Sequence, residues 1–347
     1  MGGMKASIPI LSYRNISPVC GISPDDFRTQ LEWLKEHGWQ CVPLSAAVDY
    51  VKGREAELPE KAYALTFEDA FLDHWVYAAP LLREYGLKAA FTVVTAFLHD
   101  GPCRPDSTSE GADLRALPKS REAWAMAAER NDPSGFMNRF ELRILTEEQG
   151  HELIGGTHTR QACYTSDKAS ERRPKSEADP MQGMDADAVE EGPAYPTGSA
   201  YAHDGFWPAG EEMFDRPLVR RKTEERIEFC LNEFLMCRER LEEITGKPVK
   251  ALAWPWGEFD EIAVEMAALA GFEAALSFQR GPNDPTTRPF AMCRIRMQGG
   301  ESVRELGRRM RTAACPLANS GVLMRQATAS RSGEPTVTTC MGCPSAR

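Results

Sequence analysis

Along most of the chain, short runs rich in β-branched, aromatic and small apolar residues alternate with longer stretches whose apolar positions recur at helical spacing. The β-type runs fall at 8–13, 39–43, 63–67, 89–95, 153–155, 251–254, 274–278 and 291–297. Between them the helix-type stretches are 25–37, where Phe27, Leu31 and Leu34 share one face, then 46–51, 75–85, 121–130, 146–150, 220–245, 260–270 and 302–311. Gly38, Gly86, Gly246 and Gly271 each stand where a helix would stop in a left-handed cap. Strand and helix alternating in this way predict a parallel α/β sheet closed into a barrel-like domain.

Two polar segments interrupt the alternation, near 100–119 and 165–217, and both read as insertions into the barrel. The second carries Tyr195, Tyr201, Phe206 and Trp207 in its later half, which predicts packing or ligand contact there, whereas 166–191 reads as disordered. Periodicity vanishes near residue 316, so the expected organisation is one domain over 1–315 and a flexible tail over 316–347.

Composition narrows the class. Hydrophobic residues make up 42% of the 347 and charged residues 27%, an ordinary globular balance. With 41 Lys+Arg against 51 Asp+Glu, the formal charge of −10 argues against a nucleic-acid partner. No apolar run approaches the roughly 18–20 residues that span a bilayer; the longest candidate, 87–98, is interrupted by Lys88. The few apolar residues after Lys5 are too short for a secretory signal, so the expected compartment is the cytoplasm. The ten cysteines are scattered as expected of reduced thiols, and the Cys340/Cys343 pair in the tail is a weak metal motif standing alone.

Three strand ends carry the candidate chemistry. The run Ala64-Leu-Thr-Phe-Glu-Asp ends on adjacent carboxylates, Glu68 and Asp69. At the carboxyl end of a barrel strand such a pair can divide labour between a base and a metal ligand, or it can simply complement the dipole of the next helix. The run 151–157 ends on His158-Thr159; a lone histidine there is more often structural, but one facing an acidic pair across a pocket suits a metal site. The run 251–253 leads into Trp254-Pro-Trp-Gly257, whose indoles either floor a sugar site or pack in the core.

In order and spacing, Pro9-Ile-Leu-Ser-Tyr-Arg14, Thr66-Phe-Glu-Asp69, Gly150-His-Glu-Leu-Ile154, His158-Thr159 and Trp254-Pro-Trp-Gly257 resemble the polysaccharide deacetylase family, the NodB-like carbohydrate esterases. The likeness runs over about 8–311 and is nearest the branch acting on poly-β-1,6-N-acetylglucosamine. It implies a distorted (β/α) barrel and a metal-dependent hydrolase of carbon–nitrogen bonds that N-deacetylates a saccharide. The implied roles are Glu68 as general base, Asp69 and His158 as ligands of a divalent ion such as zinc, and Tyr13, Trp254 and Trp256 as substrate contacts.

The departures are specific. Glu68 stands where the family has aspartate, and Ala70 where it has glycine. The second histidine ligand is absent: Ala162 occupies one of its spacings and Cys163 the other, with His203 as a further candidate, so the expected ligand set is Asp69, His158 and Cys163. Arg14 replaces a histidine and cannot act as an ordinary general acid; binding an oxyanion or an anionic substrate group, or pairing with Glu68, are the roles open to it. The alternative reading is a catalytically weakened glycan-binding or regulatory protein on the same fold.

Overall fold

The computed structural model describes residues 6–54, 58–110, 117–168, 195–208 and 218–315. Twelve strands appear in chain order: β1 (Ile10–Tyr13), β2 (Gln40–Cys41), β3 (Ala62–Phe67), β4 (Ala90–Val93), β5 (Glu152–Gly155), β6 (Ala162–Tyr164), β7 (Thr197–Ser199), β8 (Phe206–Pro208), β9 (Leu218–Arg220), β10 (Ala251–Ala253), β11 (Ala274–Ser277) and β12 (Met292–Arg296). All eight strands read from the sequence are present, and together they form one parallel sheet in the order β1-β12-β11-β10-β5-β4-β3-β2. A further pairing of β1 with β3 closes seven of them into a barrel and leaves β2 outside the ring.

Helices pack around the ring: α1 (Pro24–Glu36), α2 (Leu44–Val51), α3 (Ala79–Glu84), α4 (Ser120–Arg130), α5 (Arg139–Arg143), α6 (Thr223–Thr245), α7 (Glu261–Leu269) and α8 (Val303–Ala314). Local sequence sets their ends. The Ser23 hydroxyl accepts from the Asp26 amide at the start of α1, with Pro24 in its first turn, and Asp260 caps α7 in the same way. The four glycines read as helix stops all have positive φ, from +61° at Gly246 to +91° at Gly271.

Side-chain parity along the strands decides what lies inside. Tyr63, Leu65 and Phe67 point outward into the main core, with Leu11 and Tyr13, under the helices. Ala62 and Ala64 point inward, where Ala90, Ala251, Ala253 and Ala274 join them in a second cluster. Ile10, Ile154, Leu276 and Met292 belong to that cluster too, so the interior is apolar over its lower part. Two or four residues further along the same faces come Ser12, Thr66, Glu68, Thr92, Arg294 and Arg296, so the barrel changes from apolar to polar and charged groups toward the carboxyl ends of its strands.

The four remaining strands form a small antiparallel sheet, β7-β6-β8-β9. They were not legible in the polar segment that holds most of them, because three-residue strands are too short to show a period. The start of the long predicted helix at 220 also belongs to this sheet, as the last residue of β9. Most of the segment read as disordered, 166–191, and the whole tail from 316 with Cys340 and Cys343 lie outside the described residues. Among the described residues, no helix is long and apolar enough to cross a membrane.

Candidate active site

A cleft opens at the carboxyl ends of the barrel strands, lined by Glu68 and Asp69 after β3, Thr92 of β4, Gly156 and Arg160 after β5, the Trp254–Trp256 turn after β10, and Arg294 of β12. The expected convergence of strand ends on one pocket is met by β3, β5 and β10.

Glu68 is almost fully buried, and its Oε1 accepts a hydrogen bond of 2.9 Å from the Ser12 hydroxyl. Burial alone would raise its pKa, but Arg296, Arg294, Arg14 and Arg160 together pull it down to about 2. The nearest of these, Arg296 Nε, lies 4.0 Å from Oε1. Among the described residues no ion pair joins Arg14 to Glu68, and the Arg14 backbone carbonyl takes Nε2 of the buried His74 at 2.9 Å.

Asp69 faces Arg160, whose Nη1 lies 3.1 Å from Oδ2 in an ion pair without hydrogen-bond alignment. The guanidinium carbon lies over two indole rings, 5.3 Å from the Trp124 ring centre and 5.1 Å from that of Trp256. Strained backbone surrounds this pair. Five of the six non-glycine residues with positive φ among the described residues are Asp69 (+63°), Ala70 (+51°), Thr157 (+68°), Arg160 (+53°) and Trp256 (+54°). Each such residue costs on the order of 1–3 kcal/mol, and the clustering of strain at one cleft is typical of a functional site. The Trp254–Gly257 turn ends on Gly257 at φ +79°, where a β-carbon would stand 2.7 Å from the Phe278 amide nitrogen.

Of the other sequence-predicted residues, Trp254 and Trp256 line the cleft, and His158, Cys163, His203 and Tyr13 do not. His158 does not line the cleft; its Nδ1 is 2.9 Å from the Thr95 hydroxyl, and burial lowers its pKa. Its neighbour Thr159 is tied to Glu233 of α6 through its amide at 2.7 Å and its hydroxyl at 3.0 Å. Cys163 sits inside β6, opposite Gly198, with burial raising its thiol to about 12. A β-carbon on Gly205 would stand only 2.4 Å from its sulfur, so the thiol packs directly on that backbone. His203 pairs with Glu258 at 3.5 Å. Tyr13 is fully buried, its hydroxyl bonded to Gln30 and its ring against Phe27 and Phe67, which makes it a core residue and not a substrate contact. Trp254 lines the floor of the cleft but is 1% exposed, with its indole nitrogen donating to Phe290 O at 2.8 Å and its ring stacked on Phe259.

A catalytic zinc usually has three protein ligands. Among the described residues no three His, Cys, Asp or Glu side chains come together. The expected set of Asp69, His158 and Cys163 does not assemble, because Cys163 belongs to the small sheet and Asp69 is already paired with a guanidinium. Four arginines bear on Glu68, so a divalent cation would enter a field of its own sign. The residues present do not fit a metal.

Sequence reasoning missed Arg160, Arg294 and Arg296. A signal for the last two was present: Met292, Arg294 and Arg296 alternate with Cys293 and Ile295 in a strand whose neighbours face inward.

The sequence model of the polysaccharide deacetylase family matches residues 55–275. YxkH of Bacillus subtilis, assigned as a polysaccharide deacetylase, is 29% identical over 92 residues, which are 26% of this chain and 32% of that protein, so the match spans about a third of the relative's length. Among solved structures, a de-N-acetylase from Aggregatibacter actinomycetemcomitans superposes with a TM-score of 0.60 at 17% identity, over 87% of this chain and 98% of that one. The BpsB deacetylase domain of Bordetella bronchiseptica gives 0.57 at 18%, over 84% and 96%. IcaB of Ammonifex degensii gives 0.57 at 16%, over 88% and 98%. The barrel, the strand-end carboxylates and the family match over most of the chain lead to one assignment: this protein belongs to the polysaccharide deacetylase family.

Proposed function

We propose that the chain removes the acetyl group from an N-acetylated saccharide bound in this cleft, with Glu68 as base and Arg160 as the cation beside the acetyl carbonyl. The observation that carries the reading is the pair of adjacent strand-end carboxylates with Asp69 balanced by Arg160 at 3.1 Å. Glu68 takes a proton from water as the water oxygen bonds to the carbonyl carbon. The oxyanion develops against the fixed guanidinium of Arg160, which Asp69 and two indoles hold in place. Collapse breaks the carbon–nitrogen bond, and the proton on Glu68 passes to the departing amine. The metal dependence expected from the sequence is not carried over, because three ligands do not converge among the described residues.

A second reading, binding of the glycan without turnover, has one observation in its favour. A carboxylate held at about 2 is a weak proton acceptor compared with a base poised near neutral pH. The deciding experiment is acetate release from N-acetylglucosamine oligomers, with added zinc or with a chelator. The deacetylase reading expects slow release, unchanged by either addition and lost in Glu68→Gln. Binding of the oligomers with no release by the wild type supports the second reading.

A further inference from the structure

We propose that the cleft takes the carboxylate of an acidic saccharide, a uronic-acid unit, and that Arg294 selects for it; this deepens, and rests on, the reading of the cleft as a saccharide site. Three donors that line or border the cleft lack a hydrogen-bond partner among the described residues: Arg294 Nε, Thr92 Oγ1 and Trp256 Nε1. Arg294 is only 6% exposed and Thr92 only 3%, so water does not freely satisfy them. The Arg294 guanidinium lies 4.0 Å from the centre of the Phe278 ring, which fixes its orientation.

Charge points the same way. Two guanidiniums line the cleft, those of Arg160 and Arg294, against the two carboxylates of Glu68 and Asp69, and a third, that of Arg296, lies 4.0 Å from Glu68. Asp69 is engaged by Arg160, and Glu68 by Ser12 and Arg296, so no cleft carboxylate makes a hydrogen bond to Arg294. Arg294 is therefore the lining cation to which no carboxylate is hydrogen-bonded, and the unpartnered groups are donors. A neutral acetyl carbonyl offers one oxygen, whereas a carboxylate offers two and a charge that pairs with the Arg294 guanidinium.

The test is calorimetric titration of the full chain with an oligosaccharide alternating N-acetylglucosamine and glucuronic acid, with the same oligosaccharide after reduction of its carboxylates to alcohols, and with sodium acetate. The acidic oligosaccharide should bind at least ten-fold more tightly than the reduced one. Arg294→Gln should abolish that difference while circular dichroism and Tm stay close to wild type. If that variant does not fold, Arg294→Lys, which keeps the charge and loses the planar fork, should lower the preference at least three-fold. Equal affinity for the two oligosaccharides, or a preference that survives these substitutions, overturns the proposal. Acetate binding as tightly as the acidic oligosaccharide also overturns it and gives the donors to a small free carboxylate. Selectivity without acetate release defeats the hydrolase reading alone, and acetate release without selectivity defeats this inference alone.

Discussion

Arg160 and Asp69 stand 3.1 Å apart, both in left-handed backbone and both largely shut off from solvent. A guanidinium in contact with two tryptophan rings thus stands beside the strand-end carboxylate that the sequence motif assigns to a metal. Removing one member of a buried pair leaves an uncompensated charge, so Asp69→Asn and Arg160→Met are each expected to destabilise the fold by about 3–5 kcal/mol. The double variant should recover a large part of that loss, as measured by denaturant unfolding in a double-mutant cycle. Additive losses would show that the two groups do not interact.

Acid stability should fall in two overlapping steps. Burial, aided by Lys88, lowers His151 to about 4 from an ordinary 6.5, so the unfolded chain binds the extra proton first and stability declines as pH drops from 6.5 toward 4. Glu68 is lowered to about 2 from 4.5 and contributes stability that is full above 4.5 and lost as pH falls toward 2. That second loss is on the order of 3 kcal/mol. Urea titrations across this range should show it, and Glu68→Gln should remove the lower step.

Cys163 should behave as a buried structural thiol. With its pKa raised to about 12 and its sulfur against Gly205, it is expected to resist iodoacetamide in the native state whether or not zinc is added. Mass spectrometry of the labelled protein reads this directly. Rapid labelling that added zinc suppresses would restore it as a ligand.

Ala70 carries a φ of +51° and is 2% exposed. Ala70→Val puts a β-branched side chain into left-handed backbone and should cost roughly 2–3 kcal/mol. Ala70→Gly should be close to neutral, because relief of strain offsets a lost buried methyl of about 0.8 kcal/mol. A pair of thermal melts decides it.

The eight strands of the parallel sheet and the glycine stops were legible because each depends on a local signal: an apolar run bounded by turns, or a residue free to take positive φ. The carboxylates were legible because they end a β run. Arg160 was not, since its role comes from Trp124 and Trp256, distant in sequence, folding over it. Cys163 was misread because spacing from His158 counts residues and takes no account of direction, and β6 carries the thiol into a different sheet. Trp254 illustrates a third limit. A tryptophan at a strand end reads the same whether its ring faces a ligand or, as here, Phe259.

The apolar lower barrel has an electrical consequence. Ile10, Ala64, Ala90 and Met292 precede the charged layer on the same strands and leave little there to polarise. Fields from Arg294 and Arg296 are therefore weakly damped on the inner side and meet mobile ions only at the mouth, where the Arg296 side chain is 44% exposed. Added salt should accordingly slow the arrival of an anion from solution while barely changing the charge state of Glu68. Ionic strength thus separates the approach to the cleft from the state of the group at its base.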